Sequence, residues 1–208
     1  MADPHEHAAF TGDWWEEHYQ AAEQGGHEPG PQLVAEVTGL GPGTALDAGC
    51  GTGADAVWLA RQGWEVTALD ISATAVDRAR TEAGRQAPDV AGRVTWLVAD
   101  VTTWEPASPF DLVVSQYVHP DTTFEAFVSR LADCVAPGGT LLVAGHDHDD
   151  SHAAAHAPQD AAIDPVAVAA VLDPREWRVE TAETRSRQVR RADAEVTMRD
   201  VVVKARRA

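Results

Sequence analysis

The chain has 208 residues, a length that favours one domain whose core is large enough to fold without disulfides. Its 16 basic and 33 acidic residues give a formal charge of −17, which repels phosphate backbones and anionic lipid surfaces, so neither nucleic acid nor a membrane is an expected partner. No apolar run reaches about 18 residues, and the first ten residues lack the pattern of an export signal, so we expect a cytoplasmic protein.

Two helical segments precede the first strand. Asp13–Gln24 suits a helix with Phe10, Trp14 and His18 on one face, and Pro31–Leu40 is a short amphipathic segment closed by Gly-Pro-Gly. We therefore divide the chain into an N-terminal helical segment, residues 1–40, and one domain, residues 41–208.

Short apolar segments then alternate with helical ones. The apolar segments are bounded by turn residues and predict strands at Thr44–Ala48, Glu65–Leu69, Val94–Ala99, Phe110–Ser115 and Thr140–Ala144. The helical stretches are Ala54–Gln62, Ser72–Gln86 with Ser72 as N-cap, and Asp121–Val135 with Asp121 as N-cap. Because parallel strands need crossover connections, this order predicts an α/β fold with a doubly wound, mostly parallel sheet.

The last quarter of the chain changes pattern. Asp164–Leu172 is typical of a helix. Two extended runs, Trp177–Val189 and Glu195–Arg206, follow each other around a short turn, which predicts an antiparallel hairpin at one edge of the sheet. The sequence thus predicts a seven-stranded sheet.

The first predicted strand runs directly into the glycine turn Asp47–Gly53, which a helical pattern follows. Glycines at such a turn let a ligand approach the main chain beside the positive end of the helix, so the turn indicates a nucleotide site. Gly49, Gly51 and Ala54 also satisfy the dinucleotide pattern, and Asp70 follows at the spacing of a ribose ligand. The turn alone leaves two ligand classes open.

Three features favour an adenosine ligand that carries a positive charge. Asp47 lies two residues before the glycines, where a carboxylate disfavours a pyrophosphate and favours an ammonium or sulfonium group. Asp100 follows the third strand and can accept a hydrogen bond from the adenine amine. The remaining chain is too short for the substrate domain that dehydrogenases usually carry. Asp70 and Asp100 could each instead cap a turn or a helix.

Five segments carry a family resemblance: LDAGCGTGADAVWLA (46–60), VTALDIS (66–72), VAD (98–100), FDLVVSQYVH (110–119) and APGGTLLVAGH (136–146). In this order they resemble the motifs of class I S-adenosylmethionine-dependent methyltransferases over about residues 40–208. The resemblance implies a Rossmann-like fold with residues 41–208 as the methyltransferase domain. It also implies S-adenosyl-L-methionine as the cofactor and S-adenosyl-L-homocysteine as the product.

By resemblance, glycines would shape the cofactor pocket, carboxylates would bind the cofactor's polar groups, and other side chains would flank it. The glycines are Gly49, Gly51 and Gly53; the carboxylates are Asp47 near the methionine amine, Asp70 at the ribose hydroxyls and Asp100 at the adenine amine; Ile71 and Val101 flank the adenine, and Gln116 lines the opposite wall.

The acceptor is expected beyond the carboxyl ends of the fourth and fifth strands, where Tyr117, His119 and His146 lie. Methyl transfer is an in-line displacement that needs a general base only where the acceptor loses a proton. His119 is the first candidate for a base or orienting group and His146 the second, because imidazole takes up a proton near neutral pH. Either histidine could instead bond a backbone carbonyl, and Tyr117 could be ordinary packing.

An aromatic cluster of Trp14, Trp15 and Tyr19 lies ahead of the core. Small-molecule methyltransferases cover cofactor and acceptor with such a segment, so the resemblance implies that residues 1–40 are a lid that contributes to acceptor binding. A helix docked permanently on the sheet is the alternative. The run His146–His156 matches no standard zinc pattern, so we predict no metal site.

The sequence is therefore interpreted as an enzyme, an S-adenosylmethionine-dependent methyltransferase of a small-molecule acceptor, acting as a monomer or homodimer. Similarity to bacterial tellurite-resistance and thiopurine-type methyltransferases points to a thiol or other soft nucleophile. O- or N-methylation of a secondary metabolite stays open. Two further alternatives stay open: an NAD(P)-dependent oxidoreductase that uses the same glycine turn, and a non-catalytic protein that binds the cofactor.

Overall fold

One sheet organises the part of the chain that the computed structural model describes, residues 10–22, 28–86, 88–147, 163–191 and 194–208. Its strands are β1 (Thr44–Ala48), β2 (Glu65–Asp70), β3 (Val94–Val98), β4 (Phe110–Gln116), β5 (Val135–His146), β6 (Trp177–Arg191) and β7 (Ala194–Arg207). The helices are α1 (Gly12–Ala21), α2 (Pro31–Val37), α3 (Ala54–Arg61), α4 (Ala73–Gln86), α5 (Pro88–Ala91), α6 (Phe124–Asp133) and α7 (Pro165–Ala170).

The strand order is β3-β2-β1-β4-β5-β7-β6. The first five strands in this order pair in parallel, and β7 pairs antiparallel with both β5 and β6. This confirms the predicted mostly parallel, Rossmann-like sheet with a C-terminal hairpin at its edge. The winding direction reverses between β1 and β4, the place where open α/β sheets bind their ligands.

Both faces of the sheet are buried under helices. Along β4, Leu112 belongs to the apolar cluster that includes Leu33 of α2 and Leu59 of α3, whereas Val113 belongs to the cluster built on Phe127 of α6. Burial on both faces explains why the strands are continuous apolar runs rather than alternating ones. None of the helices in the described ranges is long and apolar enough to cross a membrane.

Two helices begin at residues other than those predicted. For α6 the N-cap is Thr123 rather than Asp121, because the Thr123 hydroxyl oxygen accepts the Ala126 N–H at 3.2 Å. For α1 the N-cap is Thr11, whose hydroxyl oxygen accepts the Trp14 N–H at 3.3 Å. In both cases a threonine and an acid are close in sequence, and local pattern does not decide which of them bonds the helix.

The fifth strand starts earlier than predicted, at Val135 rather than Thr140. Phe110 pairs with Val135, and a register shift then brings Leu112 opposite Thr140. Pro137 and two glycines interrupt the apolar run, which is typical of a turn. The strand continues through this interruption because β4 supplies its hydrogen-bonding partner on both sides of the shift.

A buried charge cluster joins the C-terminal hairpin to α2. Asp200 of β7 is fully buried and accepts hydrogen bonds from Arg187 Nε at 2.5 Å and from Gln32 Nε2 at 3.0 Å. Arg185 donates to the Gln32 amide oxygen at 3.1 Å and pairs with Glu36 at 2.5 Å. Charged and amide groups therefore contribute to holding α2 on the hairpin.

Asp200→Ala should destabilise the fold, because it leaves the Arg187 guanidinium and the Gln32 amide without their buried acceptor. We expect the free energy of unfolding to fall by about 3 kcal/mol, as when one partner of a buried pair is removed. Urea titration followed by circular dichroism measures the change. Asp77→Ala, which removes an exposed carboxylate paired with Arg80, is the control and should shift the midpoint little. Equal losses in the two variants would contradict the role given to Asp200.

Candidate active site

A cavity of about 400 Å³ lies at the carboxyl ends of the parallel strands. Its walls come from the glycine turn after β1, the segments after β2, β3 and β4, and the N-terminal residues around α1. Most of the sequence-predicted site residues line it: Trp15, Tyr19, Gly49, Gly51, Asp70, Ile71, Asp100, Val101, Gln116, Tyr117 and His119. The cavity therefore brings together residues that are more than 100 positions apart in the sequence.

The glycine turn exposes its main chain to this cavity. Gly49 has a φ of +82°, and a Cβ at this position would lie 2.2 Å from a methyl carbon of Val118. Gly51 has a φ of +50°, and its Cβ would lie 2.8 Å from the Tyr19 hydroxyl oxygen. The Gly49 N–H donates to the Leu69 carbonyl at 2.9 Å and so fixes the turn on β2. Only glycine fits both positions without displacing the opposite wall.

Gly53 lies outside the cavity wall. It is the N-cap of α3, with a φ of +84°, and a Cβ there would lie 2.5 Å from the Trp96 ring and 2.8 Å from the Ala79 side chain. The missing side chain thus lets α3 pack close to β3 and α4. This is the packing role of a third glycine in such turns.

Asp70 closes the glycine turn onto the end of β2. One carboxylate oxygen accepts the Gly51 N–H at 2.8 Å and the other accepts the Ser72 N–H at 2.9 Å. Burial raises the pKa of Asp70, and these hydrogen bonds act in the opposite direction. Asp70 therefore orders the turn and also presents its carboxylate to the cavity.

Asp55, in the first turn of α3, lines the cavity but was missed in the sequence analysis. Its carboxylate accepts the Gly30 N–H at 2.7 Å and a hydrogen bond from the side-chain amide of Gln116. Burial raises the pKa of Asp55. One feature of the sequence could have identified Asp55 as a site residue: it is an acid two residues after the last glycine of the turn, at a helix N-terminus that favours negative charge.

Asp47 lies behind the glycine turn rather than in the cavity wall. It is 3% exposed, and its Oδ2 makes no hydrogen bond. Burial raises the pKa of Asp47 well above its ordinary range, and the charges of Asp55 and Asp70 raise it further, against one hydrogen bond from the Ala56 amide. No lysine or arginine in the described ranges forms an ion pair with these three carboxylates. The turn is thus surrounded by buried negative charge without a protein cation.

Asp100 lies two residues beyond β3 and lines the cavity beside Ile71 and Val101. Its Oδ1 accepts the Thr102 N–H at 2.8 Å and the Thr102 hydroxyl at 2.7 Å. The structural alternative considered for Asp100, a cap on the following turn, is therefore present. The same carboxylate remains part of the cavity wall, so the two roles are compatible.

Aromatic rings close the other end of the cavity around His119. The Phe10 and His119 rings are 4.7 Å apart, and Trp15 stacks parallel to His119 at 6.2 Å. Burial, followed by the proximity of His146, lowers the pKa of His119 to about 4. His119 is therefore neutral at pH 7. The sequence analysis missed Phe10 as a wall residue.

Two predicted residues pack behind this end rather than lining it. The ring of His146, at the end of β5, lies 4.8 Å from that of Tyr117. Trp14 packs edge-on against Trp15 at 4.7 Å and against Phe10 at 5.3 Å. Most of the histidine-rich run, residues 148–156, falls outside the described residues. Within the described ranges no cluster of metal-ligating side chains is found.

Glu16 fixes α1 against the start of α4 and was also missed in the sequence analysis. Its carboxylate accepts the Ser72 hydroxyl at 2.7 Å, the Thr74 hydroxyl at 2.5 Å and the Thr74 N–H at 3.1 Å. The Thr74 and Ser72 side-chain hydrogen bonds lower the pKa of Glu16 to about 2. The helix that carries Trp15 and Tyr19 is thus bound through a charged group next to the end of β2.

Comparison with known proteins shows that the chain is similar to methyltransferases. Residues 45–139 match a family model described as a methyltransferase domain. An uncharacterized methyltransferase of Mycobacterium tuberculosis is 43% identical over 114 residues, 53% of this chain and 54% of that protein. "Probable thiol methyltransferase 2" of Arabidopsis thaliana is 35% identical over 140 residues, 62% of this chain and 59% of that protein. The chain spans little more than half the length of these curated relatives.

Solved structures share the fold. TehB from Haemophilus influenzae superposes with a TM-score of 0.67 at 15% identity, over 94% of this chain and 66% of that chain. The N-methyltransferase NodS from Bradyrhizobium japonicum superposes with a TM-score of 0.62 at 21% identity, over 85% and 92% of the two chains. The family match favours methyl transfer over the nicotinamide-dependent alternative. Residues 45–139 therefore match a methyltransferase domain, and they lie in a Rossmann-like sheet whose fold is shared by solved methyltransferase structures.

Proposed function

We propose that the protein transfers a methyl group from S-adenosyl-L-methionine to a small-molecule acceptor. The observation that carries this proposal is the set of three carboxylates around the glycine turn, of which Asp47 and Asp70 are buried and Asp55 is half-buried. Buried like charges without a cation are costly, and a ligand with sulfonium and ammonium groups would relieve that cost. A dinucleotide pyrophosphate would add negative charge at the same place.

The residues present fit this cofactor. When bound, S-adenosyl-L-methionine supplies an electrophilic methyl group on a positively charged sulfur. Asp47 and Asp55 would provide negative charge for its methionine amine, with Gln116 beside them, hydrogen-bonded to Asp55. Asp70 would accept from the ribose hydroxyls and Asp100 from the adenine amine, and Ile71 and Val101 would flank the adenine.

We further propose that residues 1–40 are a lid over residues 41–208, which form the catalytic domain. The N-terminal residues Phe10, Trp15 and Tyr19 line the cavity, so their packing excludes water from the reacting groups. The small cavity and the charge of −17 support a small-molecule acceptor. A cytoplasmic location and a monomeric or homodimeric state remain predictions from the sequence.

Cofactor binding should release protons. The pKa values of Asp47, Asp55 and Asp70 are raised in the free protein, so these carboxyl groups hold protons at a higher pH than ordinary ones do. A cationic ligand lowers those pKa values, so its affinity should rise as the pH rises from 5.5 and level off once the carboxyl groups are ionised. Calorimetric titration at pH 6 in buffers of different ionisation enthalpy measures the protons released.

Titrations with two other ligands and with one variant serve as controls. S-adenosyl-L-homocysteine lacks the sulfonium charge and should release fewer protons than S-adenosyl-L-methionine, and Asp55→Asn should reduce the release for both ligands. NADH should bind weakly or not at all. Tight binding of NADH without binding of either adenosyl ligand would refute the proposed function.

Glu16→Gln should loosen the lid, because an amide replaces one of the two carboxylate oxygens that accept from Ser72 and Thr74. We expect S-adenosyl-L-homocysteine to dissociate about tenfold faster, measured by stopped-flow tryptophan fluorescence. Glu17→Gln makes the same change at the neighbouring exposed position of α1 and is the matched control. Identical dissociation rates in the wild-type protein and Glu16→Gln would argue for a permanently docked helix instead.

His119 should act on the acceptor as a neutral group. Because the pKa of His119 is lowered to about 4, its ring signals in NMR spectra should stay constant from pH 8 to pH 5.5 and titrate only below that. His119→Gln identifies the signals and should retain affinity for S-adenosyl-L-homocysteine. The unfolded chain takes up the proton near pH 6.5, so the stability from neutral His119 is lost as the pH falls toward 4. A ring titration near pH 7 would contradict this account.

A further inference from the structure

The cavity wall is acidic throughout. The carboxylates on it are Glu28, Asp55, Asp70, Asp100 and Asp121, and no lysine or arginine is found among the described residues that line it. Partly enclosed walls of one sign concentrate the electric field and favour ligands of the opposite charge. An anionic acceptor, whether a carboxylate, a phosphate or a thiolate, would therefore be repelled at the place where it has to react.

Among the described residues of the wall there is one histidine, His119, and it is not suited to removing a proton at neutral pH. A general base is most effective when its pKa is near the working pH, and the pKa of His119 is about 4. Asp55 and Asp70 have raised pKa values, but each already accepts two hydrogen bonds that hold the glycine turn or the segment before α2. An acceptor that must lose a proton to react, such as an alcohol or a thiol, therefore has no effective general base among these three residues.

The acidic wall and the low pKa of His119 together indicate the charge of the acceptor. Resting on the proposed methyl transfer, we propose that the acceptor is an electrically neutral nucleophile whose methylated form is a cation, such as a thioether sulfur or a pyridine-type nitrogen. Its lone pair forms the new bond to the methyl carbon, and the bond between that carbon and the sulfonium sulfur breaks with its electrons passing to sulfur. The positive charge moves from the cofactor to the product, and no proton is released.

The aromatic end of the cavity fits such a product. Phe10 and Trp15 lie 5.9 Å apart with their ring planes within 27° of each other, and Tyr117 lines the same cavity. The faces of aromatic rings attract cations, and the attraction strengthens where water is excluded. Aromatic faces beside the neutral His119 imidazole offer no comparable attraction to an anion.

The test compares three aromatic probes of the same shape and different charge on the protein loaded with S-adenosyl-L-homocysteine. The probes are N-methylisoquinolinium, which is a cation, 2-methylnaphthalene, which is neutral, and 2-naphthoate, which is an anion. We expect the cation to bind at least about tenfold more tightly than the neutral probe, and the anion at least about tenfold more weakly. Competition for one fluorescent probe gives the three affinities under one condition.

Asp121→Asn then tests whether the carboxylates of the wall cause this preference. Asp121 lines the cavity beside His119 and should contribute about threefold to the preference for the cation over the neutral probe. Asp133→Asn removes the same charge at an exposed position of α6 and should leave the preference unchanged. Equal reductions in both variants would assign the effect to net charge rather than to the cavity.

Turnover provides a second readout. In the wild-type protein, thioanisole should be methylated in preference to thiophenol at pH 8, where thiophenol is a thiolate. Binding of 2-naphthoate as tight as that of the cation, together with preferred methylation of the thiolate, would overturn the inference while leaving the proposed function intact. Failure to bind S-adenosyl-L-homocysteine would instead refute the proposed function itself.

Discussion

Buried negative charge around the glycine turn is the constraint on which the site depends. The carboxyl ends of neighbouring parallel strands meet at one edge of the sheet, so Asp47 and Asp70 converge although 22 residues separate them in the chain. The first turn of α3 adds Asp55 at a helix N-terminus, whose partial positive charge compensates only part of this negative charge. Asp47 and Asp70 are only 3% and 7% exposed. The fold therefore creates a place that a cationic ligand stabilises, before any specific contact with that ligand is considered.

The N-terminal segment is coupled to this charge rather than simply packed on it. α1 has no fully buried residue, although Trp14, Trp15 and Tyr19 are half-buried, so polar contacts add to apolar packing in fixing its position. Its polar anchors are the hydrogen bonds of Glu16 with Ser72 and Thr74 at the start of α4, and the chain just before α2 is held by Asp55 through the Gly30 N–H. Carboxylates of the site and of the segment that covers it thus belong to one network. A charge introduced in the cavity therefore acts on the site and on the segment that covers it.

The features that could be predicted from the sequence are local ones. The strand runs, the glycine turn and the acids at strand ends each follow from a few adjacent residues. Asp55, Glu16 and Phe10 escaped prediction because their partners are remote: Gln116 lies 61 positions from Asp55, and Thr74 lies 58 positions from Glu16. The spacing places Phe10 on one face with Trp14 and His18, but it does not show that Phe10 reaches His119, 109 positions away. For Gly53, the packing role follows only from the position of Trp96 in three dimensions, which the adjacent residues do not reveal.

The charge of the acceptor follows from the same constraint as the choice of cofactor. An anionic acceptor would cancel the sulfonium charge as soon as it entered, and the products would then be neutral. The buried carboxylates would lose that compensation before the reaction and would not regain it afterwards. A neutral acceptor adds no charge on entry, so one positive charge stays in the cavity from the bound reactants through the transition state to the products. In the proposed reaction the carboxylates would stabilise that charge on the cofactor sulfur first and on the methylated acceptor afterwards, so one electrostatic environment would serve both halves of the reaction.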